Sequence, residues 1–288
     1  MQGTVDGFSY GLVTPLVAYL MACLGGALGL RCTTRALLVT HSWRPGWLAL
    51  ASAAIGSGIW TMHFVAMMGF TVEGAPIHYD KPMTYASLGV AIVMVGVGIF
   101  IVGYKGASGT ALFTGGTITG LGIASMHYLG MAGMRLNGTL EYNTVTVAAS
   151  VVIAMVAATA ALWAAGQVRG FLWSVGASLV MGLAVSGMHY TGMAALSVHV
   201  HGTGAPATGD SPAGLLAPML IGPLAFLCLA GVVVLRDPLM VMGKPNWAPV
   251  EHKPGVPAHT PFHHTARRAP LRPRKKVGHQ ESRAPQNR

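Results

Sequence analysis

Residues 47–70 read WLALASAAIGSGIWTMHFVAMMGF. The stretch contains no Asp, Glu, Lys or Arg, and a single ionisable side chain, His63, interrupts its apolar and small residues. About 20 such residues suffice for a helix to cross the hydrocarbon of a bilayer, so a membrane span is predicted here. An imidazole inside such a span is costly and needs a reason. The pattern recurs twice. Residues 111–134 hold Met126-His127-Tyr128 with Met131, and residues 172–196 hold Met188-His189-Tyr190 with Met193, against Met62-His63-Phe64 with Met67 in the first copy.

The rest of the chain has the same character. Of its 288 residues, 52% are hydrophobic and 9% charged, whereas soluble domains carry about 25% charged residues. Seven windows read as spans: about 11–30, 47–70, 83–103, 111–134, 145–166, 172–196 and 214–235. The fold class predicted is an all-α integral membrane protein of seven transmembrane helices, built as three parallel two-helix repeats plus a seventh helix. One set of connections holds Arg31, Arg35 and Arg44, then Lys105, then Arg169; the alternate set holds Glu73, Asp80 and Lys81, then Arg135 and Glu141, then Asp210. By the positive-inside rule the first set is cytoplasmic, which puts the N-terminus outside and the C-terminus inside. Residues 1–10 lack a basic n-region and the first apolar run lacks a cleavage site, so span one is expected to be retained.

Residues 1–240 are read as one membrane domain and 241–288 as a disordered, basic, Pro-rich cytoplasmic tail. From Arg236 onward the chain carries 11 of its 18 Lys and Arg against three acids, so most of the formal net charge of +10 belongs to the tail. Such a composition cannot bury enough surface to fold. The run Arg272-Pro273-Arg274-Lys275-Lys276 has the character of a segment that binds anionic lipid or an acidic partner, or of a solvated topology signal. No output domain is legible in it, and no nucleic acid is expected as a partner. Cys23, Cys32 and Cys228 show no pairing pattern and read as packing residues. The abundant glycines, Gly25-Gly26 and Gly115-Gly116 among them, read as helix contacts, since small residues let membrane helices approach closely.

His63, His127 and His189 are 64 and 62 residues apart, one helical hairpin per repeat. Every motif helix therefore crosses in the same direction, and each His falls seven residues before the assigned outer end of its window, roughly 10 Å at 1.5 Å per residue. Three imidazoles at one depth, each with a Met four residues on along the same face, form a predicted ligand set: Met62, His63 and Met67; Met126, His127 and Met131; Met188, His189 and Met193. The preceding Met of each copy stands about 100° round the helix, beside the ligands or in the packing. Phe64, Tyr128 and Tyr190 flank the set. Every one of these ligands is neutral, imidazole and thioether suit copper and above all Cu(I), and zinc commonly recruits thiolate or carboxylate, which is not present beside these histidines. Magnesium and calcium prefer oxygen. A b-type haem held by His or His/Met pairs remains open, whereas a covalent haem lacks its CxxCH. His78, His199 and His201 lie in outer loops and read as solvated positions, with metal delivery as the alternative. The tail histidines His252, His259, His263, His264 and His279 suit opportunistic metal binding. No Walker, GxSxG or HExxH motif and no nucleophile–base pair is present, so the chain is expected not to be an enzyme.

These motifs resemble the MHYT domain, a bacterial integral-membrane sensor module named for Met-His-Tyr-Thr. Met188-His189-Tyr190-Thr191 reproduces the name in full, while the other copies read Met62-His63-Phe64-Val65 and Met126-His127-Tyr128-Leu129. The resemblance covers about residues 10–235. It implies copper bound through the His and Met positions above, sensing of oxygen, carbon monoxide or nitric oxide, and residence in the bacterial inner membrane. Phe64 departs from the motif, so a tyrosine hydroxyl has no threefold role. Many members carry a cyclic-di-GMP, histidine kinase or DNA-binding output, so sensing here implies a separate cytoplasmic signalling partner. Copper handling, a haem-based electron carrier and a structural scaffold are the other readings.

Overall fold

The computed structural model describes residues 5–7, 9–39, 42–73, 75–167, 171–200 and 212–237. The tail, His201, Arg169 and Asp210 lie outside these residues. Seven helices follow one another: α1 (Val13–Leu38), α2 (Arg44–Met68), α3 (Lys81–Lys105), α4 (Gly109–Ala132), α5 (Thr144–Gln167), α6 (Phe171–Ala194) and α7 (Pro212–Arg236). The chain is a multi-pass, all-α membrane protein. Six of the helices are long and apolar enough to cross a bilayer. α4 is less apolar because Thr114, Gly115, Gly116, Thr117, Thr119, Gly120, Gly122 and Ser125 fill its middle, yet it is as long, uncharged, and packed between α3 and α5.

Local signals set the boundaries. Asp80 caps α3 by accepting from Met83 N–H at 3.0 Å, and Ser108 caps α4 by accepting from Ala111 N–H at 3.4 Å, as short polar side chains do at helix starts. Between them Gly106, at φ 73°, takes the left-handed turn that a residue with a Cβ disfavours. α1 runs eight residues beyond its predicted window. Arg31 and Arg35 are therefore on helical turns rather than in a connection, and Arg44 opens α2. The helix continues because nothing in 31–38 breaks it. Arg35 at its end meets Asp237, just beyond α7, with Nε to Oδ2 at 2.7 Å.

The sequence reading missed six short strands. β1 (Val5–Asp6) precedes α1 and pairs with β2 (Thr71–Val72) after α2; β3 (His78–Tyr79) precedes α3 and pairs with β4 (Met134–Arg135) after α4; β5 (Gly138–Tyr142) precedes α5 and pairs with β6 (Leu196–Val200) after α6. Each repeat is thus strand, helix, helix, strand, closed at one end by its own antiparallel sheet. All three sheets lie at the same end of the bundle, because every repeat begins and finishes there. The parallel-repeat prediction follows directly from this topology.

Within each repeat the two helices pack together, and α2 on α3, α4 on α5 and α6 on α1 complete a ring of six. α7 stands outside the ring against α2 and α1. α2 is accordingly the best covered span, 78% buried in its apolar window against 22% for α5. The close approaches rest on missing side chains. A Cβ on Gly25 of α1 would lie 2.6 Å from Gly58 Cα of α2, and one on Gly120 of α4 would come as close to the backbone of Met155 of α5. Trp60 ties α2 to α3 by donating its indole N–H to Thr84 O at 3.1 Å and Ser87 Oγ at 3.0 Å.

Candidate metal centre

α2, α4 and α6 each deliver one histidine to the ring's axis. The helices end at Met68, Ala132 and Ala194, so His63, His127 and His189 each stand five residues before a helix end. The predicted windows give seven, because each runs two residues past its helix end; the equality of depth survives, at roughly 7.5 Å from the helix ends. All three side chains are 1% exposed. Their Nδ1 atoms form a triangle with edges of 3.0 Å (His63–His189), 3.2 Å (His63–His127) and 3.3 Å (His127–His189). The rings meet edge to face, with centroids 4.9 to 5.1 Å apart.

Such a triangle cannot be satisfied by its own protons. A neutral imidazole nitrogen either donates or accepts in the ring plane, not both. Any assignment leaves at least one edge where two lone pairs or two N–H groups oppose each other. A cation accepting from all three nitrogens removes that conflict. The size also fits, since the centre of the triangle is about 1.8 Å from each nitrogen and metal–imidazole bonds are about 2.0 Å. Nitrogens on one face of a tetrahedron with such bonds stand about 3.3 Å apart. Among the described residues this is the one cluster of His, Cys, Asp or Glu able to hold a metal ion.

Packing, rather than hydrogen bonding, aims the rings. Nε2 of His63 and of His127 is buried without a hydrogen-bond partner, although a metal-ligating histidine ordinarily donates its second nitrogen to an oxygen. Behind each stands a glycine of the next motif helix. A Cβ on Gly130 would lie 2.7 Å from His63 Nε2, and one on Gly192 would lie 2.5 Å from His127 Nε2. Ala66 holds the corresponding place in α2, three residues after His63. The motif aromatics complete the cradle: Phe64, Tyr128 and Tyr190 each meet their own His edge to face at 4.6, 4.8 and 5.0 Å. Phe64 and Tyr128 also reach Gly130 and Gly192. Tyr128 Oη donates to Ser150 Oγ of α5 at 2.7 Å, because the Ser150 hydroxyl is itself donated to Val147 O. Phe64 faces Tyr79 of β3 instead, whose phenol is pushed above its ordinary range by burial.

Met62, Met67, Met126, Met131 and Met188 are buried in the core, and Met193 is partly buried against it. The later member of each pair stands one turn towards the strand-bearing end, on the face of its histidine. The two described outer histidines, His78 and His199, do not join the site. His78 is exposed in β3, and His199 Nε2 lies 3.3 Å from Glu141 across the β5–β6 sheet. The glycine three residues after His127 and His189 was visible in Met-His-Tyr-x-Gly-Met, but sequence reasoning took glycines as packing in general and missed its place behind a ligand.

Comparison with known proteins finds three repeats, which begin in α2, α4 and α6. The repeat described as "Bacterial signalling protein N terminal repeat", MHYT, matches residues 56–115, 120–178 and 182–239. The bifunctional diguanylate cyclase/cyclic di-GMP phosphodiesterase MucR of Pseudomonas aeruginosa is 34% identical over 80% of this chain and 34% of its own length. The cyclic di-GMP phosphodiesterase NbdA of the same organism is 35% identical over 69% of this chain and 27% of its own, and the signaling protein YkoW of Bacillus subtilis 30% identical over 66% and 24%. The chain thus spans about a third or less of these relatives' length. No solved structure matches it.

Proposed function

The chain belongs to the MHYT family, and from that premise we propose that it is a non-enzymatic sensor module of the bacterial cytoplasmic membrane that holds copper on His63, His127 and His189. The observation that carries the reading is the buried triangle of Nδ1 atoms with edges of 3.0 to 3.3 Å. Three neutral donors, with Met67, Met131 and Met193 one turn further out, suit a soft monovalent ion in a medium where uncompensated charge is expensive. Bound copper would supply a vacant position for a diatomic ligand and a one-electron couple. The residues themselves fix three donors, shield them from water and leave them on three separate repeats, so a change in how the ion is held is felt by three hairpins together.

The positive-inside bias supports placing the strand-bearing end outside and Arg236 inside. Signalling would act on a cytoplasmic output, in a partner or in a further domain, and the relatives MucR and NbdA favour cyclic di-GMP turnover as its chemistry. Ring centroids about 5 Å apart favour an ion over a b-type haem, because a macrocycle cannot enter between rings in contact.

The test is metal analysis of the protein purified in nanodiscs. About one copper per chain is expected, with His63→Ala, His127→Ala and His189→Ala each reducing it by at least about tenfold, since two remaining ligands do not complete the shell. A protein free of copper after anaerobic purification with Cu(I) would sink the reading, and a Soret band abolished by the same substitutions would replace it with haem.

A further inference from the structure

A second axial feature lies on the other side of the histidines. Ile59, Ile123 and Val185 stand four residues before His63, His127 and His189, on the same helix faces and one turn away from the strand-bearing end. They line a cavity of about 30 Å³ to which all six ring helices contribute. Its polar groups are few and already engaged: Thr33 Oγ1 donates to Gly29 O at 2.9 Å and Thr119 Oγ1 to Met94 O at 3.5 Å. A buried water needs two to four polar partners, and cavities without them stay dry and take up apolar solutes. The space admits a molecule of at least water size, which suits a diatomic molecule.

We propose that this cavity is a binding site for one molecule of an uncharged diatomic gas, from which the ligand reaches the histidine triangle through the membrane interior rather than from the aqueous face. The inference rests on the sensor reading for its purpose but not for its occupancy, because the walls are made without the metal. Poorly hydrated gases concentrate in lipid and in dry cavities for the same reason, the cost of opening space in water. The outer approach has the opposite character: methionines and three sheets stand there, suited to admitting a soft ion. The centre would then be served from two sides, metal from the strand-bearing end and gas from the bundle interior.

Dissolved oxygen is a direct probe, because its paramagnetism speeds relaxation of any methyl group it touches. The full-length, metal-free protein in nanodiscs, with labelled Ile and Val methyls, is compared with and without O2. Ile59 and Ile123, 2% and 4% exposed, should relax about as strongly as lipid-facing Ile221. Their enhancement should exceed that of Ile77, equally buried at 4% but away from the cavity, by roughly fivefold, because a dry cavity admits an apolar solute and a filled core does not. Val185→Phe should remove the enhancement at Ile59 and Ile123 and leave Ile221 unchanged; Val185→Leu, a smaller insertion that secures the result should the first variant misfold, should halve it or more. In the copper-loaded protein Val185→Leu should slow carbon monoxide association at least about tenfold with copper content unchanged, since the ligand's path and not the metal's is filled. Ile59 and Ile123 relaxing no faster than Ile77, or enhancement persisting in both Val185 variants, overturns the proposal and leaves the copper reading standing. Enhancement at these methyls in a protein that never binds copper upholds the cavity and removes the sensor reading instead.

Discussion

Adding one methyl group behind a histidine should empty the proposed metal centre without touching any of the three imidazoles. In Gly192→Ala the new Cβ would fall 2.5 Å from His127 Nε2 and 3.3 Å from Tyr128 Oη. Carbon and nitrogen in contact stand about 3.5 Å apart, so the His127 ring or the α6 backbone must retreat by about 1 Å. The ring has nowhere to go, because its Nδ1 already stands 3.2 and 3.3 Å from two other histidines. Ligand constellations tolerate about 0.5 Å of displacement, and disturbing the groups that aim a ligand costs about 10- to 100-fold in metal affinity. The larger figure is expected here, together with about 1–3 kcal/mol of overpacking strain in the metal-free protein. Chelator competition for Cu(I) measures the first, and thermal unfolding in detergent with chelator present measures the second. Gly89→Ala is the control, since nothing stands within 4 Å of the site of its Cβ; in a helix it should be neutral or stabilising by up to about 1 kcal/mol. A Gly192→Ala protein that binds copper within about twofold of wild type, with unchanged melting, would refute the argument that packing aims the ring.

Other expectations follow from the same geometry. Met67→Leu and Met131→Leu should each weaken Cu(I) about tenfold with little effect on Cu(II), as soft thioethers discriminate by oxidation state; equal losses for both ions, read by competition titration, would place the sulfurs in packing alone. Trp60→Phe should cost about 2 kcal/mol in thermal or SDS unfolding, chiefly through lost volume, because Ser87 Oγ still donates to Thr84 O at 2.6 Å and only the two bonds shared by the indole N–H disappear. Alkaline phosphatase fused after Arg236 should be inactive in the periplasm, and a fusion in the loop before Pro212 active; the reverse pattern would invert the bundle.

Much of this protein is readable along the chain because the membrane narrows the choice of structure. The backbone must satisfy itself inside lipid, so charge-free stretches of 20 residues are helices almost by necessity, and the 64- and 62-residue spacing of three histidines fixes their common direction and depth. What escaped is local and small. β1 to β4 are two residues long, too short for alternation to register, and β5 and β6, where Leu140, Val198 and Val200 do alternate with polar neighbours, were absorbed into loops. The helix ends were set two residues late because Phe70 and Met134 are as apolar as the turns before them, and no periodic signal separates a last helical turn from a buried strand. The histidine triangle was legible in its corners and not in its mould. Gly130 and Gly192 carry no chemistry of their own; their meaning appears only when a neighbouring helix brings an imidazole within reach.

Each repeat seals its own end with a sheet, yet contributes only one corner of the triangle. Three identical copies, assembled as separate chains, would build the same corner three times and would be bound to keep every corner alike. Joining them in one polypeptide lifts that obligation. Phe64 facing Tyr79, Ala66 where the other copies have Gly130 and Gly192, and α7 resting chiefly on α2 and α1 make the first repeat unlike its two siblings. Anything bound on the axis therefore meets an unequal trio.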